Sequence, residues 1–548
     1  MPESAEVQHE AAQGRARASP DGVRTPRVAA VIVTWNRREM VASVLEAIAK
    51  QDVPLASLDV FVIDNASTDG TLEHLIERFA PEAVYDNPTE RAEAPAFERR
   101  ENPGKQARNS LGVRTLSVVR NTHNLGGCGG FNTGFNIVAH AVGEPGEAGA
   151  PDYVWLVDDD VDLEPDVCAQ LVRVAESDRA IGLVGSRTVD IRDRETTIET
   201  TIYHHPTLGI MGDEPEAGDP RLEEHRRWAE AFGGAKYGHG YHGTRDVDVV
   251  SACSMLARWS DTEAVGLWDA RYFIYCDDAD WCLRFKRAGR RVVLNLDAVV
   301  FHTPWHHKLT PARIYYAERN LIWMNQKALD GRSLRCTVRA RLRHLLRESL
   351  HAGLCRRGFH AEVYLRAARD AMRGRGGKLD MEPSPSEATS ACLQRIGASG
   401  RTLVLVIPTP DSMAAADAFR AHVLKAIPET ERPRLIDFVR NDVPGVHDRA
   451  SDDRIVYAPH LRSRLFRQFG LLKHRPAGVV VFDHACDVPM VSGRWTLHVG
   501  SAGPDRITTE ACGLFARLGI MARWLGTLGR GLVFGFAVRP HRSRTRYG

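Results

Sequence analysis

"RVAAVIVTWNRREMVASVLEAIAKQ", Arg27 to Gln51, decides how this chain folds. Its first part, "RVAAVIVTW", is apolar on nearly every residue and rich in β-branched side chains. A strand with one wet face would alternate, so an unbroken run reads as a strand buried on both faces, as in a parallel sheet. The second part, "REMVASVLEAIAKQ", repeats its apolar residues at helical spacing and predicts an amphipathic helix. "DVFVIDNASTDGT" (Asp59 to Thr71) then reads as a second strand ending in a turn and a new helix. Strand, helix and strand in this order predict a βαβ unit with a right-handed crossover.

Working outward, Pro81 to Leu111 is polar and irregular and reads as an inserted loop. "LSVVRN" is a third strand, the Gly-rich "NLGGCGGFNTGFN" leads into a helix, and "YVWLV" is a fourth strand. "VDVVSACSMLARW" and "RVVLNLDAVVFH" read as further strands, with a helix between them, "DADWCLRFKRAG", closed by Gly289. The fold class expected is α/β: a Rossmann-like, mostly parallel sheet flanked by helices, then Arg-rich helices and a second, smaller α/β region. The layout expected is a disordered N-terminus over 1–26, a first domain over 27–330, a basic helical segment over 331–375 and a linker over 376–398. A small α/β domain over 399–505 and a basic amphipathic tail over 506–548 complete it.

A chain of 548 residues exceeds one ordinary core, in keeping with more than one domain. With 72 Lys and Arg against 70 Asp and Glu, the formal charge of +2 gives no global case for nucleic-acid binding. No apolar stretch approaches the ~20 residues of a membrane span, and the polar first residues lack the apolar region of a secretory signal. The expected location is therefore cytoplasmic. The ten cysteines are scattered, with no C-x-x-C pair, and read as reduced thiols.

"VWLVDDDVDLEPD" (Val154 to Asp166) places three carboxylates at the end of an apolar strand. In open α/β sheets ligands sit beyond the carboxyl ends of the strands, and Asp64, Asn124 and Asp158–Asp160 all fall there. Strand side chains alternate, so Asp158 and Asp160 reach one side while Asp159 points away. Two carboxylates on one side suit a hard divalent cation with open positions for phosphate oxygens; the plain alternative is a solvated acidic loop or helix cap. "YCDDADWCLR" adds Asp277, Asp278 and Asp280, fit to accept a proton from a hydroxyl or to cap a helix and pair with Arg284. "AVVFHTPWHH" ends a strand on His302, a candidate third metal ligand.

Taken in order, "VIVTWNR", "VIDNASTDGT", "NLGGCGGFNTGFN", "WLVDDD" and "YCDDADWCLR…VVFH" resemble the family 2 glycosyltransferases of the GT-A fold, over roughly Arg27 to Lys327. "NLGGCGGF" followed by a DDD triplet looks most like bacterial galactofuranosyltransferases, with rhamnosyltransferases as close relatives. The resemblance implies residue roles. Thr34, Asn36 and Arg37 of "TWNR", with Asp64, match positions that bind the donor nucleotide. Asn124, Gly126 and Gly127 match the segment lining the pyrophosphate and sugar, and Asp158 and Asp159 belong to the donor site. Asp158, Asp160 and His302 match the ligands of Mn²⁺ or Mg²⁺. Asp278 matches the catalytic base, and Asp277, Trp268 and Trp281 are expected on the acceptor side, with Trp305 another candidate sugar-stacking ring. The activity implied is an inverting, metal-assisted transfer from a nucleotide-diphosphate sugar to a hydroxyl of a glycan or lipid-linked glycan. The chain departs from the galactofuranosyltransferase pattern at Ser251, Ala252 and Cys253, where those enzymes carry paired aromatics near the acceptor.

Two other classes compete with this one. A nucleotidyltransferase would carry a Gly-rich, basic loop after the first strand, and "TWNRREM" has no such glycines. A non-enzymatic assembly module fits the C-terminal half, and "VVVFDHACD" there carries no assigned chemistry. The Arg-rich helices and the Arg/aromatic tail predict peripheral contact with an anionic inner membrane, or a homo-oligomer contact.

Overall fold

The computed structural model describes residues 25–91, 94–100, 108–231, 241–304, 310–444, 453–482, 488–490, 493–500 and 503–541. The N-terminal half is built on one large, mostly parallel sheet flanked by helices. Its elements are β1 (Val28–Thr34), α1 (Arg38–Ile48), β2 (Leu58–Asp64), α2 (Thr71–Phe79), β3 (Ala83–Asn87), β4 (Glu98–Arg99) and β5 (Thr115–Asn121). They continue as α3 (Gly126–Val142), β6 (Tyr153–Asp158), β7 (Asp162–Leu163), α4 (Val167–Ser177), β8 (Ile181–Asp190), β9 (Thr197–Glu199), β10 (Tyr203–His205) and β11 (Ile210–Gly212). Then come α5 (Leu222–Ala231), β12 (Thr244–Asp246), β13 (Ser254–Arg258), α6 (Thr262–Val265), α7 (Asp277–Arg287) and β14 (Arg291–His302). The strand order is β12-β14-β8-β13-β6-β1-β2-β5-β3-β4, with β7 paired to β14 and β9 to β8. Strands β6, β1, β2, β5 and β3 run parallel, and β13 runs antiparallel between β6 and β8.

The unbroken apolar run of β1 divides between two cores. Ala29 and Val31 face α3 and α7 in company with Phe61, Ile63 and Phe135. Val28, Ala30 and Ile32 face α1 and α2 in company with Val44, Leu45 and Leu75. Such two-faced burial is what the sequence of β1 demands. Helix α3 lies hard against β1: a Cβ at Gly130 would stand 2.4 Å from Val33 Cγ1, and one at Gly134 2.2 Å from Val31 Cγ1. The glycines of this helix thus set the sheet-to-helix distance.

Three stretches differ from expectation. Pro81 to Leu111 is not wholly a loop, because β3 extends the sheet beside β5 and β4 pairs with β3. Val84 and Tyr85 are buried there, in an apolar run too short to announce itself. "VDVVSACSMLARW" is a strand only over its second half, since the backbone N–H groups of Asp248 and Val249 both turn to the Ile202 carbonyl. The stretch 376–398 holds β15 (Glu387–Ala388) and a helix, Thr389–Arg395, whose Cys392 and Leu393 are buried in the second core.

That second sheet comprises β15, β16 (Thr402–Ile407), β17 (Arg434–Arg440), β18 (Arg454–Tyr457), β19 (Gly478–Val481), β20 (Trp495–Val499) and β21 (Arg506–Ala511), in the order β15-β21-β20-β19-β16-β17-β18. It therefore reaches beyond 399–505 at both ends. Between the sheets lie the helices Pro311–Ala328, Gly331–Leu354 and Gly358–Arg373, and the last two pack against a C-terminal helix, Leu514–Ala537. Among the described residues, no helix is long and apolar enough to cross a membrane. Residues 1–24 of the N-terminus read as disordered, Trp305, and the "DHACD" part of "VVVFDHACD" lie outside the described residues.

Candidate active site

The parallel strands end together, and the polar residues at those ends meet. Asp64, the last residue of β2, is buried and accepts from the Ser67 amide at 3.0 Å; burial pushes its carboxyl above the usual range. Asn36 stands at φ 53° just beyond β1, where its Oδ1 accepts from the Thr68 amide at 2.7 Å. Asn124 caps the Gly-rich turn by accepting from the Gly126 amide at 2.9 Å. Gly126 is obligatory: its φ is +74°, and a Cβ would stand 2.2 Å from the Phe273 carbonyl oxygen. Gly127 faces open space. A residue that sequence reading missed, Asn65, ties these loops together. It donates to the Gly126 carbonyl at 2.9 Å and accepts from Asn121 Nδ2 at 3.0 Å and the Leu125 amide at 3.1 Å.

Asp158 ends β6, and Asp159 and Asp160 follow it. Asp159 is buried beside Thr34, and burial, opposed by the Arg37 charge, holds its carboxyl up at about 6. Arg37 Nη1 lies 2.6 Å from Asp159 Oδ1 and 2.9 Å from Asp160 Oδ2. Burial works against the charge of Arg37, but these carboxylates outweigh it and keep its pKa raised. β14 brings in His302, whose neighbour Phe301 pairs with Asp162 of β7. His302 Nε2 is 3.0 Å from Asp160 Oδ1 and 3.6 Å from Asp158 Oδ2. The donor atoms of Asp158, Asp160 and His302 all lie within 4.8 Å of one another. Two carboxylates and an imidazole so placed fit a divalent cation of the Mn²⁺ or Mg²⁺ kind.

The first turn of α7 lies within the electrostatic reach of Asp158. Asp278 Oδ1 accepts from the Ala279 amide at 2.7 Å and Oδ2 from the Ala252 amide at 3.4 Å. Burial pushes both Asp277 and Asp278 above the usual carboxylate range, and the Asp158 charge adds to both, as Asp278 does to Asp277. Asp280, the third acid, has a structural role: it pairs with Arg284 at 3.0 Å and with buried Lys327 at 3.1 Å. Glu199 on β9 is the acid that sequence reading missed. Burial first, then the Asp278 charge, push it up to about 7, with His302 and Thr188 opposing. "RETTIET" reads as a polar loop, and nothing in it signals a site.

The segment that delivers Asp277 is strained. Phe273, Tyr275 and Cys276 have φ of 68°, 71° and 60°. Phe273, with ψ −55° and an Ile274 N–H to Tyr272 carbonyl bond of 2.9 Å, forms a tight γ-turn. Fully buried Asn320 braces it, donating from Nδ2 to the carbonyls of Tyr272, Ile274 and Tyr275 at 3.0, 2.8 and 2.9 Å. Arg319 adds a bond to the Tyr272 carbonyl at 2.7 Å. Strain held by surrounding structure is a recurring property of functional sites.

Residues 101–325 match the family described as glycosyltransferase like family 2. The chain carries a glycosyltransferase family 2 domain. Its large, mostly parallel sheet flanked by helices is that of the GT-A class. Among solved structures, the chain is similar to the mannosyltransferase PcManGT from Pyrobaculum calidifontis in complex with GDP-Man and Mn²⁺, at 16% identity over 70% of this chain and 82% of that one (TM-score 0.34). It is similar to S. aureus TarS at 13% identity over 63% of this chain and 49% of that one (TM-score 0.38). The TarS 1-349 structure in complex with UDP-GlcNAc matches at 12% identity over 64% and 81% (TM-score 0.38). No curated protein matches the chain.

Within this glycosyltransferase domain two expected acceptor residues are elsewhere. Trp268 and Trp281 are 4% and 0% exposed and belong to a buried aromatic cluster with Phe131, Phe135 and Trp259. Trp281 also donates its indole N–H to the Gly266 carbonyl at 2.9 Å. The position of Trp281 follows from α7, whose inner face carries Trp281, Cys282 and Phe285 while its first turn carries the acids.

Proposed function

We propose that this chain is an inverting glycosyltransferase. It moves a sugar from a nucleotide-diphosphate donor to a hydroxyl of a glycan or lipid-linked glycan. The observation that carries the reading is the meeting of two groups: Asp158, Asp160 and His302 with donor atoms within 4.8 Å, and the buried Asp277 and half-buried Asp278, near enough to feel the Asp158 charge. Asp158, Asp160 and His302 are the residues to hold Mn²⁺ or Mg²⁺, which when bound supplies positive charge against the departing diphosphate. Thr34, Asn36, Arg37, Asp64, Asn124 and Gly126–Gly127 line the donor side. The Asp278 carboxylate takes the proton of the acceptor hydroxyl. The hydroxyl oxygen bonds to the anomeric carbon as the bond to the diphosphate oxygen breaks, with inversion. Galactofuranose is the favoured sugar, on the "NLGGCGGF…DDD" resemblance.

The C-terminal helix supports a membrane-side acceptor. Ile520, Trp524 and Leu528 pack inward, while Phe515, Leu518, Leu525, Leu532, Val533 and Phe536 are exposed. Arg517, Arg523 and Arg530 share the helix, and residues 511–548 contain no acid. Apolar side chains flanked by cations suit the cytoplasmic face of an anionic bilayer.

The experiment is transfer from UDP-galactofuranose or dTDP-rhamnose to lipid-linked and free glycan acceptors, with product anomer determined. Product of inverted configuration, lost in Asp278→Asn, supports the reading. Transfer at the wild-type rate by Asp278→Asn, or retained configuration, sinks the mechanism.

A further inference from the structure

A second set of metal-ligating side chains converges far along the chain, where the helix Gly358–Arg373 meets the second sheet. His360 is in the first turn of that helix, His498 is on β20 and Glu510 is on the adjacent β21. One donor atom from each lies within 4.8 Å of the other two. His360 and Glu510 are 1% and 7% exposed. Glu510 is aimed by the backbone: its Oε2 accepts from the amides of Phe359 and His360 at 3.1 and 3.4 Å. That leaves Oε1 facing both imidazoles. It is in short contact with His360 Nδ1 and lies 2.8 Å from His498 Nε2.

Hydrogen bonding accounts for only part of this cluster. His498 Nε2 is buried and makes no aligned hydrogen bond, despite its 2.8 Å approach to Oε1. Native interiors hold few such orphans, because an unpaired buried nitrogen has given up its hydration for nothing. The two rings stack at 5.0 Å between centroids and 18° between planes, so their nitrogen-bearing edges present to the same carboxylate. A cation at that edge would use His360 Nδ1, His498 Nε2 and a Glu510 oxygen together. Buried Arg357 is the neighbouring charge that opposes a cation, and the Glu510 carboxylate offsets it.

We propose that His360, His498 and Glu510 hold a divalent cation of the Zn²⁺ class, which pins the helix Gly358–Arg373 to β20 and β21. Two imidazoles and one carboxylate are a borderline-soft set that prefers Zn²⁺ to Mg²⁺ or Ca²⁺. Three protein ligands leave a fourth position for water. The bound ion would couple the basic helices to the second sheet, as structural zinc couples elements that share it.

The test uses the full chain carrying Asp158→Asn and Asp160→Asn, which removes the other cluster's carboxylates. After dialysis against metal-free buffer, zinc is measured by mass spectrometry, and Co²⁺ is added to a zinc-stripped sample to read its visible absorption. We expect one tightly held zinc per chain, a Co²⁺ band, and a melting temperature that falls on chelation and returns with Zn²⁺. His498→Gln, a partly exposed position, should lose the zinc and the band, and its melting should become insensitive to chelator. Substoichiometric zinc with no Co²⁺ band in the parent overturns the proposal, and so does His498→Gln that keeps both. If His498→Gln does not fold, zinc content and chelator-sensitive melting of the parent still decide.

Discussion

Asn320 offers a quantitative handle on how the site is held. Its side chain has no contact with the carboxylates, yet it holds the carbonyls of Ile274 and Tyr275 just before them. Asn320→Leu keeps the volume but removes both the amide donor and the Oδ1 that accepts from buried Arg319 Nε at 2.9 Å. The Tyr272 carbonyl keeps Arg319, so two carbonyls and the Arg319 Nε lose their partners. At ~1–2 kcal/mol for each of these groups left unsatisfied, the loss of stability is about 3–6 kcal/mol. The strain it restrains is of the same order: positive φ at Phe273, Tyr275 and Cys276, at ~1–2 kcal/mol each, stores about 3–6 kcal/mol. Without the brace the segment should relax and carry Asp277 and Asp278 with it. Urea unfolding should show the stability loss, and transfer should fall ~10-fold or more at temperatures where the variant is folded. A loss under ~0.5 kcal/mol with unchanged transfer would refute the idea that Asn320 holds the strained turn.

Four more outcomes follow from the geometry. Since burial raises Asp278 and only its ionised form accepts a proton, the acid limb of kcat/KM should lie above the usual aspartate range, and a limb near pH 4 would contradict this role. Above ~pH 3.9 the folded state holds more protons at Asp277 than the unfolded chain, so stability falls as pH rises through its raised pKa; Asp277→Asn should therefore raise the melting temperature at pH 7. Trp281→Ala should destabilise by ~3–5 kcal/mol, as for a core aromatic, whereas a sugar-stacking ring would raise KM with little change in melting. Sedimentation with anionic vesicles should capture the protein at ~0.1 M salt and release it near ~1 M, and Leu532→Glu with Phe536→Glu should weaken capture; equal capture by neutral vesicles would argue against it.

Legibility in the sequence followed the range of the interactions. β1, α1 and β2 could be read because each carries its own periodicity, and the strand-end acids because chain position alone puts them at the sheet's carboxyl edge. Asn65, Glu199 and Asn320 could not. Asn320 meets its carbonyls across 45 to 48 residues of chain, and no local pattern records that contact. β8 went unread although it is central, since Gly182, Gly185 and Arg187 interrupt its apolar run. Trp281 misled for a physical reason: one helix carries acids in its first turn and a core aromatic directly after them.

We propose that Asp158, Asp160 and His302 form a metal-dependent nucleotide-sugar site. Melting of the purified chain with Mn²⁺ and UDP or UDP-galactofuranose tests this. Binding to the folded state at ~100 times Kd adds about 2.7 kcal/mol, a readily measured rise. We predict a rise that needs both metal and nucleotide and is lost in Asp158→Ala. A folded protein whose melting ignores every nucleotide with Mn²⁺, or rises equally in Asp158→Ala, would contradict it.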